Sequence, residues 1–304
     1  MLYESSTEPL STHQTRLRGE MRRDVEELSV NIGPRHAGES LADVLAAERW
    51  IVDRLKASGV EPRRDEVDLN GPKVANVEAS FPGVERPDEI IVIGAHYDTV
   101  FRSPGANDNA SGVAMLLATA RRLGDAPTGR TVRIVFFVNE EYPFSGGIQM
   151  GSRLYAERCR ARGDDIVAMI AVDSVGYYTS APGSQNYPAF IGGLPSKGNF
   201  IAFGSNRDNQ QLLDHVVAIF QEQCRFPAIG VATDLNAASR SDHASFWWQG
   251  YPAIFMSDTS EYRDPNYHRQ TDTADQLNYD ELARLTEGFI KTVRVLAAAD
   301  TRLP

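Results

Sequence analysis

The chain is 304 residues long, 42% hydrophobic and 24% charged, with 41 acidic against 31 basic residues and a formal net charge of -10. That balance belongs to a globular chain of one large or two small domains and argues against intrinsic disorder. No lysine or arginine run stands out, so no nucleic-acid partner is expected, while the excess acid leaves room for bound cations.

The two cysteines, Cys159 and Cys224, do not make a disulfide framework and read as small buried residues. The N-terminal stretch lacks the apolar core of a signal peptide, and no apolar run approaches the ~20 residues of a membrane span. No membrane partner and a cytoplasmic location are therefore expected, although a mature secreted chain would read the same way. Nothing in the sequence sets an oligomeric state.

Residues 1–25 are polar and charged and read as an arm or leading helix, ahead of a single domain over 26–304. Leu41, Val44, Leu45, Trp50, Ile51 and Leu55 recur at helical spacing, and Gly59 ends that helix. Strands and helices then alternate. "VANVEASF", "EIIVIGAHYD", "TVRIVFFVNEE" and "DIVAMIAVDSVGY" read as strands, with "NFIAFGS" and "PAIFMSD" as weaker ones. Helical patterns fall at 111–123, 147–162, 209–223 and 279–298. Apolar strands separated by helices predict an α/β fold, a three-layer α/β/α sandwich around a mixed, mostly parallel sheet. The Gly-, Pro- and Ser-rich stretch over 178–199 is a long excursion of the kind that serves function.

Ligands of open α/β sheets bind outside the carboxyl ends of the strands. Those ends here carry His96 and Asp98, the adjacent Glu140 and Glu141, and Asp173. Asp108 stands in the loop "SPGANDNASG" just before a helix, and His268 in the late loop "DPNYHRQTDT". Two histidines with several carboxylates and no cysteine suit zinc, manganese or cobalt. Two divalent ions ~3.5–4 Å apart would form a co-catalytic pair and cancel the repulsion between the paired glutamates. One glutamate would then bind metal and the other stay free to take a proton. Adjacent strand residues point to opposite faces, so both reach one site only if the strand ends and the backbone turns there, as Pro143 suggests. Asp98 shares a strand face with His96 and is placed to accept its second N–H, fixing the tautomer.

The motifs "GAHYDTV", "GANDNASG", "NEEYPF", "MGSRLYA", "VDSVGY", "SDHASF" and "NYHRQTDT" occur in the order seen in the co-catalytic zinc exopeptidases. From about Ile32 to Leu296 the chain resembles the bacterial leucyl aminopeptidase type, with glutamate carboxypeptidases and glutaminyl cyclases as relatives. The resemblance implies two zinc ions. His96 would bind one, Asp108 would bridge both, Glu141 and Asp173 would each serve a different ion, and His268 would complete the second site. Glu140 would be the general base toward a metal-bridging water. A cis peptide would follow Asp108, and Tyr267 looks like the tyrosine that steadies the developing oxyanion in some members. His243 of "SDHASF" reads as a supporting residue rather than a ligand, Asp272 as a turn or support acid, and Met150 as core.

The implied function is a zinc-dependent aminopeptidase that hydrolyses the N-terminal bond of a peptide or small amide with a free amine. Glutaminyl cyclases use one zinc and show "DGEE" and "WH" contexts, whereas this chain has "VNEE" and "NYH". A carboxypeptidase should present arginines to a free carboxylate, and Arg207, Arg240 and Arg263 are unmarked candidates. An amidohydrolase on a specialised amide is a further alternative. A non-catalytic relative would lack ligands or base, and a serine hydrolase would need a G-x-S-x-G elbow, which is absent.

Overall fold

A computed structural model describes residues 8–187, 194–234, 240–298 and 303–304. Within the long excursion, 188–193 therefore lie outside the described residues, as do 1–7 of the N-terminal arm. Eight strands form one sheet: β1 (Arg63–Asp68), β2 (Lys73–Phe81), β3 (Gly83–His96), β4 (Thr128–Phe137), β5 (Asp165–Val172), β6 (Ile201–Ser205), β7 (Ala228–Ala232) and β8 (Ala253–Ser257). Their order is β1-β2-β4-β3-β5-β8-β6-β7. The central four, β4, β3, β5 and β8, are parallel, as are β6 and β7; β1–β2, β2–β4 and β6–β8 are antiparallel.

The central strands are buried on both faces, which is why they read as continuous apolar runs. Ile91, Ile93 and Ala95 of β3 face one core, shared with α1 (Thr12–Glu26), α2 (Leu41–Ala57), α3 (Gly112–Leu123), α5 (Gln210–Gln223) and α7 (Tyr279–Ala298). Ile90 and Val92 face the other, built with Tyr155, Ala156 and Cys159 of α4 (Gly151–Arg162) and Phe246 of α6 (His243–Trp247). Helices on both faces of the sheet make the three layers, and each fully buried Val, Ile or Phe contributes about 1.5–3 kcal/mol. Gly94 lets the second core close up: a Cβ there would lie 2.3 Å from the Phe137 ring.

The leading segment is helical. Ser11 and Gln14 form a reciprocal cap at its start. Leu17, Met21 and Val25 are fully buried, and α1 packs on α7 and α3. Both cysteines are free, Cys159 buried and Cys224 partly so.

Three boundaries differ from the sequence pattern. The β4 strand ends at Phe137, four residues before Glu141, because its register with β3 stops at His96–Phe137 and Asn139 turns the chain at φ 60°. The helix expected from Gly147 begins at Gly151, after turns closed onto Glu141 and Phe144. A Cβ on Gly151 would sit 2.4 Å from the Val138 carbonyl, so only glycine lets the helix start against the end of β4. Strand β5 gives way after Val172, and Ser174 takes φ 53°.

Candidate metal centre and active site

From β3 the chain crosses through α3 to β4 on one side, then returns through α4 to β5 on the other. That reversal opens a crevice outside the carboxyl end of β3, where open α/β sheets place their ligands. His96 and Asp98 reach it from β3, Glu140 and Glu141 from the turn after β4, and Asp173 from the end of β5. Asp108 enters from the loop before α3, and His268 from the loop before α7, where it takes φ 59°.

Two triads form. His96 Nε2 lies 3.2 Å from Asp108 Oδ1 and 3.5 Å from Asp173 Oδ1. His268 Nε2 lies 3.1 Å from Asp108 Oδ2 and 3.3 Å from Glu141 Oε1. Asp108 thus presents one oxygen to each histidine. In each triad, and in a third grouping of His96, Glu140 and Glu141, the ligand atoms lie within 4.8 Å of one another.

Support comes mostly from backbone amides. Asp98 Oδ1 accepts the N–H of Glu140 and Oδ2 that of Glu141, each at 3.1 Å, so one carboxylate turns both glutamates into the crevice. Its Oδ1 stands 3.6 Å from His96 Nδ1, while its own carbonyl, at 3.2 Å, accepts from that nitrogen. Asp272 does the same service for Asp108, accepting the N–H of Asn107 at 2.7 Å and of Asp108 at 3.1 Å. The Asp108–Asn109 peptide is cis. Ser241 Oγ donates to Asp173 at 2.8 Å.

Several supporting residues carry no sequence pattern that marks them. Arg35 is fully buried and donates to the carbonyls of Leu28, Gly33, Tyr97, Pro104 and Gly105, joining the loops that lead to Asp98 and Asp108. Asn107 Nδ2 donates to Asp258 at 3.0 Å and Asp264 at 3.1 Å. Asp258 directly follows β8, parallel to β5, so the strand-end rule that exposed Asp173 reaches it too. Arg35 and Asp264 sit in loops with no such signal.

The crevice concentrates acid. Burial, then Asp108, pushes Glu141 up to about 7, and burial raises Glu140 well above the carboxylate range. Asp242 rises to about 7, first through burial. For Asp108 burial works upward, yet hydrogen bonds from His268 and His96 hold it below its ordinary value. Burial opposes charge on His268, but Asp108 and Glu141 raise it to about 10, and carboxylates raise His96 likewise.

Two cavities flank the triads. One, of about 180 Å³, touches Asp173 and Tyr267 and runs in against Ala202, Phe203 and Gly204 of β6. Tyr187 and Leu194, at the described ends of the long excursion, line it as well. The other, of about 580 Å³, touches His268 and lies between surface loops. Tyr267 stacks on His268 with ring centroids 3.8 Å apart, and burial raises its phenol. His243 joins no triad; it stacks on Phe255 at 4.8 Å and meets Trp247 edge-on. Met150 is 3% exposed and lines neither cavity.

A sheet with overlapping histidine–carboxylate triads at its carboxyl edge is the architecture of a metal-dependent hydrolase. The chain belongs to peptidase family M28, whose profile matches residues 76–293. It is 32% identical over 283 residues to the uncharacterized protein YfbL of Escherichia coli strain K12, covering 89% of this chain and 86% of that one. A probable leucine aminopeptidase 1 of Trichophyton verrucosum is 29% identical over 234 residues, 71% of this chain and 57% of the fungal protein. Among solved structures, the zinc aminopeptidase BSAP of Bacillus subtilis matches with a TM-score of 0.71 at 14% identity, covering 93% of this chain and 96% of that one. A glutaminyl cyclase of Bacteroides thetaiotaomicron matches at 0.68 and 18% identity, covering 91% and 97%. At those identities the likeness is one of fold, and the fold alone does not choose between the two activities. No helix among the described residues is long and apolar enough to cross a membrane.

Proposed function

We propose that the chain is a zinc aminopeptidase acting on peptides or small amides with a free N-terminal amine. The observation that carries this reading is the pair of triads sharing Asp108 beside the buried Glu140. The donors suit zinc: imidazole nitrogens and carboxylate oxygens, no thiolate. Glu141 Oε1 is buried with no hydrogen-bond partner, as a ligand atom kept for a cation would be. His96, Asp108 and Asp173 would hold one ion, and Asp108, Glu141 and His268 a second. Once bound, such a pair supplies Lewis acidity and lowers the pKa of water toward ~7.

The protein's own groups do the rest. Glu140, a buried acid outside both triads and next in the chain to Glu141, takes the proton of the attacking water and returns it to the leaving amine. Asp98 keeps Glu140 aimed by holding its amide. Tyr267, kept protonated by its buried setting, donates to the oxygen that becomes negative. The substrate's ammonium finds a cleft rich in carboxylates, and acylation removes that charge. Of the arginines a carboxypeptidase could use, Arg207 pairs with Asp234 at the surface and Arg263 is buried against Gln185 and the Phe200 carbonyl, while Arg240 lines the β6 cavity with its charge already paired to Glu261.

The test is hydrolysis of a leucyl anilide and its N-acetylated twin, each with and without a zinc chelator. Cleavage of the free amine alone, lost on chelation, is the expected result. Cleavage of both, or resistance to the chelator, would contradict it. A glutaminyl cyclase would instead cyclise an N-terminal glutaminyl peptide and leave the leucyl compound intact.

A further inference from the structure

Apart from His268 at its edge, the second cavity is walled by side chains that the proposed chemistry does not use. Phe101 is 44% exposed and Tyr142 81% exposed, both unusual for aromatic rings. Between their loops stands His36, 8% exposed. Its Nε2 meets the Tyr142 carbonyl at 3.0 Å, and its ring lies edge-on to Phe101 with centroids 6.4 Å apart. His36 Nδ1 is buried with no hydrogen-bond partner. The walls are thus tied together from behind while both rings stand open to solvent. Glu39 is the single carboxylate in the lining, and Arg102, beside the lining, lies over the Phe101 ring at 4.5 Å.

Position gives this cavity a role. His268, at its edge, also touches Asp108 and Glu141, so the cavity opens on one triad. The β6-lined cavity opens on the other triad through Asp173. A scissile bond lying across both triads would have one neighbouring residue in each cavity. An enzyme that removes one residue needs a blind pocket for that residue and an open path for the remaining chain. The β6-lined cavity has buried residues of β6 for one wall; the other lies between surface loops.

Resting on the aminopeptidase reading, we propose that the Phe101–Tyr142 cleft binds the second residue of the substrate and selects aromatic or large aliphatic side chains there. With Arg102 over the Phe101 ring at 4.5 Å, the rest of that ring together with the open Tyr142 ring suits an apolar side chain. Partial burial of a phenyl ring between two rings corresponds to a selectivity of about tenfold over glycine.

The experiment compares kcat/KM for leucyl-phenylalaninamide and leucyl-glycinamide in the zinc-loaded enzyme and in Phe101→Ala and Tyr142→Ala. Both rings are exposed, and a thermal melt of each variant checks that the fold is kept. The expected result is a preference for phenylalanine of about tenfold that falls to about twofold or less in each variant. Equal rates on both peptides in the unaltered enzyme would overturn the proposal. So would a preference that survives both substitutions while the two rates fall together. If neither peptide and no leucyl anilide is cleaved, the aminopeptidase reading itself fails and takes the cleft's assignment with it.

Discussion

The molecule buries two sets of carboxylates and treats them in opposite ways. Away from the crevice, buried acids meet arginine. Asp24 accepts from Arg54 at 3.0 Å and Arg121 at 3.2 Å, Glu48 from Arg64 at 2.6 Å, and Glu78 from Arg63 and the Tyr155 hydroxyl. Those arginines lie partly at the surface and carry fixed charge, so these acids are balanced by the chain itself. At the carboxyl edge, the ion pairs of Asp98, Asp108, Glu141 and Asp173 among the described residues are with His96 and His268 alone. The nearby buried guanidinium, Arg35, spends its hydrogen bonds on carbonyls. A buried charge is expensive unless balanced, and here the balance from within rests on two titratable imidazoles rather than on fixed guanidinium charge. On the proposed reading, the contrast separates acids that hold the fold together from acids that a bound cation would balance.

The sharpest way to break this contrast is to remove the proposed base while leaving the cation sites whole. Glu140→Gln should lower kcat by about 10³-fold, within the range for a lost general base, with zinc content unchanged. Parallel loss of metal would instead make Glu140 a ligand. Next comes Asp98→Ala, which frees the amides of Glu140 and Glu141; zinc affinity and kcat should each fall by about 10–100-fold. Zinc titration of the stripped protein separates the two effects. Tyr267→Phe should lower kcat by about tenfold or more with little change in KM, as for one lost hydrogen-bond donor to a developing charge.

The arginine-paired set should respond in the other currency. Asp24→Asn should cost about 1–3 kcal/mol of stability, read by denaturant unfolding, and leave kcat per folded molecule unaltered. The two sets should also part company with pH once metal is stripped. Glu141 and Asp242 are each raised to about 7 in the folded chain, from 4.5 and 3.8. Between those limits the folded state binds more protons than the unfolded one, so stability falls as pH rises through that window. His268, raised from 6.5 to about 10, gives stability present below 6.5 and lost as pH climbs, the same direction. The stripped protein should therefore melt higher at pH 5 than at pH 8, and zinc should remove most of that difference.

Much of this was legible in the chain, for a physical reason. Strands buried on both faces must be apolar throughout, and β3, β4 and β5 are; their ends then stand out as the places where acids and histidines begin. Edge strands have no such signature. The β1 segment "RRDEVD" buries only Asp65 and Val67, and β7 is half-buried at four of its five residues and exposed at Gly230, so neither reads as a buried strand. The path after β4 is unreadable locally because the amides of Glu140 and Glu141 are held by Asp98, 42 residues away in sequence from Glu140. The same holds for Asp272 under Asp108, at a separation of 164 residues. Side chains that hold distant amides leave no local period to read.

The most direct measurement is zinc counted against activity. The stripped protein is titrated with zinc while bound metal and hydrolysis of leucyl anilide are followed together. The expected result is two tightly bound ions per chain, with full activity reached only as the second site fills. Full activity at one ion per chain, or with none, would contradict the assignment of the crevice acids to a shared pair.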